Sequence, residues 1–289
     1  MNLKTDEFYS KDCILKQEKN WFLKDPLAAD KLIEKAGLCV WKTATSLWPK
    51  NRSWLVACGS GNNAADGLVF ALYAHQNKHH VTLFCLDLHS KSKPLAKLLA
   101  QARDQGLSIA TLTDPIPSIK SVWVDALFGI GLNRPIDGST ASFINSINHS
   151  QLPILSIDIP SGLDPDTGTA HGACIKATHT LTMMVYKPGL FMEWGREASG
   201  NVHLAKLDHQ SIVWDCKPIA IHYNQAHLLS LLPKTPKDAH KGSKGHHLLL
   251  GGESGKLGAL FNAADGAFTC GVGLITCITD PDHLQAVAC

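Results

Sequence analysis

The sequence predicts an α/β protein organised as a three-layer αβα domain around a mainly parallel sheet, and three observations predict it. Short apolar runs rich in β-branched and aromatic residues alternate with segments whose apolar residues recur at helical spacing. The strand-like runs are joined through those helical segments, as crossovers between parallel strands require. The 289 residues, 45% of them hydrophobic and 18% charged, suffice to bury a sizeable core and leave room for more than one unit.

The first two dozen residues are polar and weakly periodic, and support an arm or short helix docked on the body or on a second subunit. Asp25-Pro26 is suited to start a helix, on which Ala28, Ala29, Leu32, Ile33, Ala36 and Val40 share one face. Trp54 to Cys58 reads as a buried strand, Leu68 to Tyr73 as a helix and Val81 to Leu86 as the next strand, which completes a βαβ unit. A helix over Leu95 to Ala102, a strand over Val122 to Asp125, a helix through Phe143, Ile144 and Ile147 and a strand over Ile154 to Asp158 continue the alternation. Short strands are expected at Leu181 to Val185, Val202 to Leu207 and Ile219 to Tyr223, extending the same sheet. Asn224 can cap a helix through Leu232. The first domain is therefore placed at residues 1–232, with a Pro, Gly and Lys-rich linker at 233–245. Residues 246–289 begin a second α/β unit, with strands at His247 to Leu250 and Leu274 to Ile278 around a helix from Leu260 to Phe268. So short a segment forms at best a very marginal core.

The formal charge of +2, from 27 basic and 25 acidic side chains, gives no field suited to nucleic acid or an anionic membrane, so neither is expected as a partner. No apolar run approaches the roughly 20 residues needed to cross a bilayer, and Met1 to Glu7 carries no apolar signal core. A cytoplasmic protein is expected. Its nine cysteines are widely spaced without a C-x-x-C pair and read as reduced, mostly buried thiols. The doublets His79-His80 and His246-His247 lack the ligand spacing of a zinc site.

Ligands of an open parallel sheet collect beyond the carboxyl ends of its strands, and four polar clusters fall there. Cys58 to Gly67 holds the loose Rossmann-like fingerprint Gly59-x-Gly61-x-x-Ala64, whose free N–H groups can bind phosphate; a tight turn capped by Asn is the structural alternative. With Asp87 after the next strand, the same loop also fits an NAD(P)-dependent dehydrogenase, although Asn62, Asn63 and Asp66 put oxygen-bearing side chains where such enzymes need none. The stretch Asp125 to Pro135 ends a strand in an acid, a glycine loop and Arg134, which can pair with a ligand phosphate or with a surface carboxylate. Asp158, before Ile159-Pro160-Ser161-Gly162, is the preferred acid/base candidate, its pKa expected to rise beside a ligand ring; the alternative is a turn cap. Lys187, in Tyr186-Lys187-Pro188-Gly189-Leu190, can bring positive charge to the ligand or be a solvated surface residue. Asn63, Asp125 and Ser161 supply oxygens from three strand ends, a set suited to a hard monovalent cation, unless Asn and Ser bond their own backbone.

Together the Leu32 to Gly37 helix end, the Cys-Gly-x-Gly-Asn-Asn-x-x-Asp-Gly loop, Asp125 to Pro135, Asp158 to Gly162 and Lys187 to Leu190 resemble one family, the NAD(P)H-hydrate epimerases. The resemblance is strongest to the bacterial bifunctional form, in which an ADP-dependent NAD(P)H-hydrate dehydratase is fused behind the epimerase. It implies isomerisation between the R and S forms of hydrated NADH or NADPH (NADHX, NADPHX), a nucleotide-repair reaction whose S product passes to a dehydratase as functional partner. It further implies substrate binding by Asn62, Asn63, Ala64, Ala65 and Asp66, by Gly129, Ile130, Gly131, Leu132, Asn133, Arg134 and Pro135, and by Asp158. Asp158 and Lys187 are implied as catalytic, Asn63, Asp125 and Ser161 as ligands of potassium (K+), and a homodimer as the assembly. Ala64 and Ala65 depart from the family, which shows two glycines there, so crowding of the ligand and strain at any positive φ are expected. His240 to Gly245, Leu250-Gly251-Gly252 and Gly271 to Leu274 are similar to the opening of the ribokinase-like dehydratase, whose remainder has no counterpart before Cys289. No dehydratase activity is expected of this chain. The alternatives are a dehydrogenase and a non-catalytic dimerising scaffold of the same fold, as in mRNA-decapping proteins.

Overall fold

The computed structural model describes residues 6–24, 28–88, 92–117, 120–207, 214–223, 225–253 and 255–283. The expected caps at Asp25-Pro26 and Asn224, and Cys289, lie outside the described residues. The chain divides into two compact units, 1–224 and 225–289, so the division falls ahead of the proline-rich segment at 233–245.

In the first unit seven parallel strands form one sheet in the order β4-β3-β2-β5-β6-β7-β8. They are β2 (Ser53–Cys58), β3 (His80–Cys85), β4 (Ser108–Thr111), β5 (Val122–Ala126), β6 (Ile154–Ile157), β7 (His179–Met183) and β8 (Asn201–Ala205). The chain runs outward from β2 to β4, then returns to place β5 on β2's other edge, so the strand order reverses between β2 and β5. Loops leaving two such strands diverge and open a crevice, the usual ligand position in open α/β sheets.

Alternation along β2 explains the layers. Trp54, Val56 and Cys58 face a core shared with α2 (Ala28–Leu47), α3 (Asn62–Gln76) and α4 (Lys93–Asp104), while Leu55 and Ala57 face the core under α5 (Gly138–His149). On α2 the buried Ile33, Ala36, Val40 and Ala44 continue the expected stripe. Among the described residues no helix is long and apolar enough to cross a membrane.

The amino-terminal arm is β1 (Asp6–Phe8) followed by α1 (Lys11–Lys24). β1 pairs antiparallel with β9 (Ala220–His222) in a separate two-stranded sheet. The strand expected near Ile219 is therefore present but does not extend the main sheet, because its hydrogen-bonding edge is taken by the chain's own beginning. A second correction concerns the cysteines: Cys13 on α1 and Cys216 are joined in a disulfide across 203 residues, with Cα atoms 6.2 Å apart. Cys58, Cys85 and Cys174 are buried free thiols, whereas Cys270 is exposed.

The second unit contains α7 (Gln225–Leu231), then the parallel pair β10 (His246–Leu250) and β11 (Leu274–Ile278) connected through α8 (Leu257–Thr269). Leu260 is its one fully buried hydrophobic side chain among the described residues, while Leu248, Leu250, Phe261 and Phe268 are exposed.

Candidate functional site

The crevice between the β2 and β5 exits is a cavity of about 480 Å³. The chain leaves β2 through Gly59, just ahead of the lining residues Ser60 and Gly61. A Cβ on Gly59 would come within 1.8 Å of the Leu127 carbonyl oxygen, so only glycine lets these two strand-end loops touch. Gly61 then caps α3 with its backbone in the extended region and no side-chain hydrogen bond to the first turn. The amino end of a 15-residue helix thus faces the cavity without a protein cap, an arrangement favourable to anions.

The helix starts at Asn62, and this corrects the expectation about Ala64 and Ala65. Both lie within α3, neither has a positive φ, and both are buried in the core, so their methyls meet apolar side chains instead of a ligand. Of the sequence-assigned binding residues, Asn62, Asn63, Asp66, Gly129 to Arg134 and Asp158 line the cavity, as does Lys187; Ala64, Ala65 and Pro135 do not. Asp87, the acid a dehydrogenase would use, is exposed and lies outside it.

Asp158 follows β6 with φ +68°, a left-handed conformation that Asp tolerates better than most residues and that is common at functional sites. Its Oδ1 accepts from Lys187 Nζ at 2.5 Å and from the Met183 amide at 3.1 Å. Lys187 is only 1% exposed, and its ammonium also donates to Met183 O at 2.7 Å and Thr182 Oγ1 at 3.1 Å. All three ammonium donors are therefore used, and Lys187 is a buried, fully bonded cation, not a solvated surface residue.

Two other carboxyls of the cavity are raised above their usual range. Burial, then the Asp158 charge, push the Glu18 carboxyl from its usual 4.5 up to about 7, with Lys187 opposing. Burial first, then Asp158 and Glu18, hold the Asp66 carboxyl well above the usual carboxylate range. Sequence reasoning missed Glu18: α1 brings it to the cavity together with Ile14, Leu15 and Phe22, and nothing near it in the chain marks the site. Two bonds from Lys11 fix the start of that helix, Nζ to Leu132 O and the amide to Asp166 Oδ1, each 2.8 Å.

Beneath the cavity the β5 exit loop runs between Asn63 and Ser161. Asp125 is 1% exposed; its Oδ1 accepts from Ser161 Oγ at 2.6 Å, and its Oδ2 from Ser156 Oγ at 2.8 Å and the Ser161 amide at 2.9 Å. Burial raises the Asp125 pKa while these Ser161 and Ser156 bonds oppose the rise. Ser161 Oγ also accepts from the Phe128 amide at 2.8 Å. Asp125 and Ser161 are thus directly bonded to each other. Asn63, beside Gly129, has both side-chain polar atoms buried without a hydrogen-bond partner. Among the described residues no cluster of three or more His, Cys, Asp or Glu could hold a metal ion.

The family model described as YjeF-related protein N-terminus matches residues 29–189, which contain all of these strand-end motifs. The chain is 33% identical over 264 residues to the Bifunctional NAD(P)H-hydrate repair enzyme Nnr of Coxiella burnetii, covering 89% of this chain and 53% of that protein. It is 32% identical to the Escherichia coli K12 protein of the same name, covering 88% of this chain and 50% of that one. The chain thus spans about half the length of the curated relatives it matches. The crystal structure of the yeast protein ynu0 is similar in fold, with a TM-score of 0.59 at 20% identity over 68% of this chain and 87% of that chain.

Proposed function

This chain belongs to the YjeF-related protein N-terminus family, and from that premise we propose that it interconverts the R and S forms of hydrated NADH and NADPH. The observation carrying this reading is the convergence of Asp158, Lys187 and the uncapped α3 amino end on one cavity between β2 and β5. In the hydrate, water has added beside the ring nitrogen, so the epimerised carbon bears both hydroxyl and nitrogen. Inversion there needs a group that moves a proton to or from the oxygen, not a hydride acceptor. Asp158 is the acid/base group, and Lys187 holds it in place; Asn62, Asn63, Asp66 and residues 129–134 bind the dinucleotide. The amides of Asn62 and Asn63 and the Arg134 guanidinium are suited to its phosphates.

Potassium is the proposed ion. The fit rests on Asn63, whose buried Oδ1 has no donor, and on the buried Asp125 carboxylate bonded to Ser161. A monovalent cation held by Asn63, Asp125 and Ser161 would satisfy the first and neutralise the second. When bound it would supply fixed positive charge beneath the loop 127–131.

The second unit is proposed as the opening of an ADP-dependent dehydratase, as the bifunctional names of the relatives suggest, and a dehydratase as the functional partner. A cytoplasmic homodimer is proposed on the resemblance, and sedimentation checks the dimer. The test of the function is chromatographic: purified R-hydrate incubated with the protein should convert to the equilibrium mixture, faster in potassium than in choline. No conversion at high enzyme concentration would remove the reading.

A further inference from the structure

We infer that Glu18 is the second proton-transfer group of this site, working opposite Asp158 on the hydrated ring carbon; the inference rests on the epimerase reading above. Inverting a carbon that bears hydroxyl and nitrogen takes a proton donor on one face and a proton acceptor on the other. Asp158 accepts from Lys187 and from the Met183 amide through the same oxygen, the pattern of a carboxylate. Lys187 has no unused donor. The donor must come from another wall of the cavity, and the carboxyls there are Glu18 from α1 and Asp66 from α3.

The charged groups facing Glu18 separate these two. Asp158 and Lys187 act on it from the strand ends, Glu18 in turn acts on Asp66 of α3, and Arg134 lines the same cavity from the β5 loop. Burial, Asp158 and Lys187 together leave Glu18 at about 7, where it can both give and regain a proton, whereas burial and the neighbouring carboxylates hold Asp66 well above its usual range. The wall carrying Glu18 is also held in place: the Cys13–Cys216 disulfide and the two Lys11 bonds anchor α1 one and two turns before it.

Protonated Glu18 gives its proton to the hydroxyl, the C–O bond breaks with its electron pair leaving on oxygen as water, and the ring-nitrogen lone pair forms C=N. Water adds to the opposite face, forming the new C–O bond as Asp158 takes its proton and the C=N pair returns to nitrogen. The configuration is inverted and one proton has passed from Glu18 to Asp158; the reverse direction exchanges the roles.

Glu18→Gln keeps the shape and removes the proton. Its kcat is expected to fall about 100-fold or more with KM little changed, while Glu18→Asp retains measurable turnover and Asp66→Asn mainly raises KM. In the direction in which Glu18 is the donor the wild-type kcat should fall above pH of about 7, and that limb should vanish in Glu18→Gln. Infrared difference spectra between wild type and Glu18→Gln should show a carboxyl titrating in the same range. The inference is overturned if Glu18→Gln stays within about tenfold of wild type, if its alkaline limb persists, or if that carboxyl is ionised by pH 5. Wild-type protein that fails to interconvert the hydrates removes the epimerase reading and this inference together. An active wild type with an equally active Glu18→Gln removes only this one.

Discussion

Lys187 and Asp158 form an ion pair of 2.5 Å whose lysine side chain is 2% exposed and whose aspartate side chain is 15% exposed. Removing one partner of such a pair leaves the other uncompensated in a poorly solvated place, at a cost of about 3 kcal/mol. Lys187→Met should therefore lower Tm and abolish turnover, and adding Asp158→Asn should restore most of the stability without restoring activity. Thermal melts of the two single variants and the double variant check this. An additive loss in the double variant would show that the pair is not the source.

Gly59→Ala should destabilise the first unit by about 1–3 kcal/mol, because the new methyl meets the Leu127 carbonyl and the two loops must separate. Gly61→Ala is the control: it has open space and an extended φ, so its melt should stay within about 0.5 kcal/mol of wild type.

Glu18 also makes stability depend on pH. Its carboxyl is raised in the folded protein from 4.5 to about 7, so the folded state binds the proton more tightly than the unfolded state. The contribution is fully present below pH 4.5 and is lost as pH rises through about 7. Glu18→Gln cannot ionise and should gain Tm relative to wild type across that interval, with no further gain above it. A Tm difference flat with pH would show that the carboxyl is not raised.

Potassium should raise the wild-type Tm relative to choline at equal ionic strength, and Asn63→Leu should abolish the rise. Without potassium the same substitution should be neutral or stabilising, since it removes two buried polar atoms that have no partner. Calorimetry with potassium, sodium and choline separates a specific ion from general screening.

The sheet was legible because its strands are apolar runs whose alternate residues enter two cores, as Trp54 to Cys58 do. The strand-end motifs were legible for a related reason: glycine, proline and acids punctuate such runs where loops begin. β4 was missed because Ser108–Thr111 is a short, half-buried edge strand with two small polar ends. The last sheet strands, β7 and β8, start earlier than expected because polar His179 and Asn201 open them, with His179 meeting His203 across the pair. The Cys13–Cys216 bond and Glu18's place beside Asp158 were not legible, since each joins residues more than a hundred positions apart with no local pattern to mark them. The strain expected at Ala64 and Ala65 is absent because the helix begins two residues before them and gives both a helical backbone.

β1 binds β9, and the chain's first helix supplies one wall of the cavity. During synthesis the seven-stranded sheet can assemble once residue 205 has emerged, with the wall already tied through Lys11 to Leu132 and Asp166 and through Phe8 to Tyr186, but its disulfide and its β9 partner come only with Cys216 and residues 220–222. A nascent chain stalled between these points would hold a formed sheet with a less firmly anchored wall, so full competence to bind should arrive late. Ribosome-bound chains of increasing length, probed by proteolysis within α1, would register that moment as increased protection.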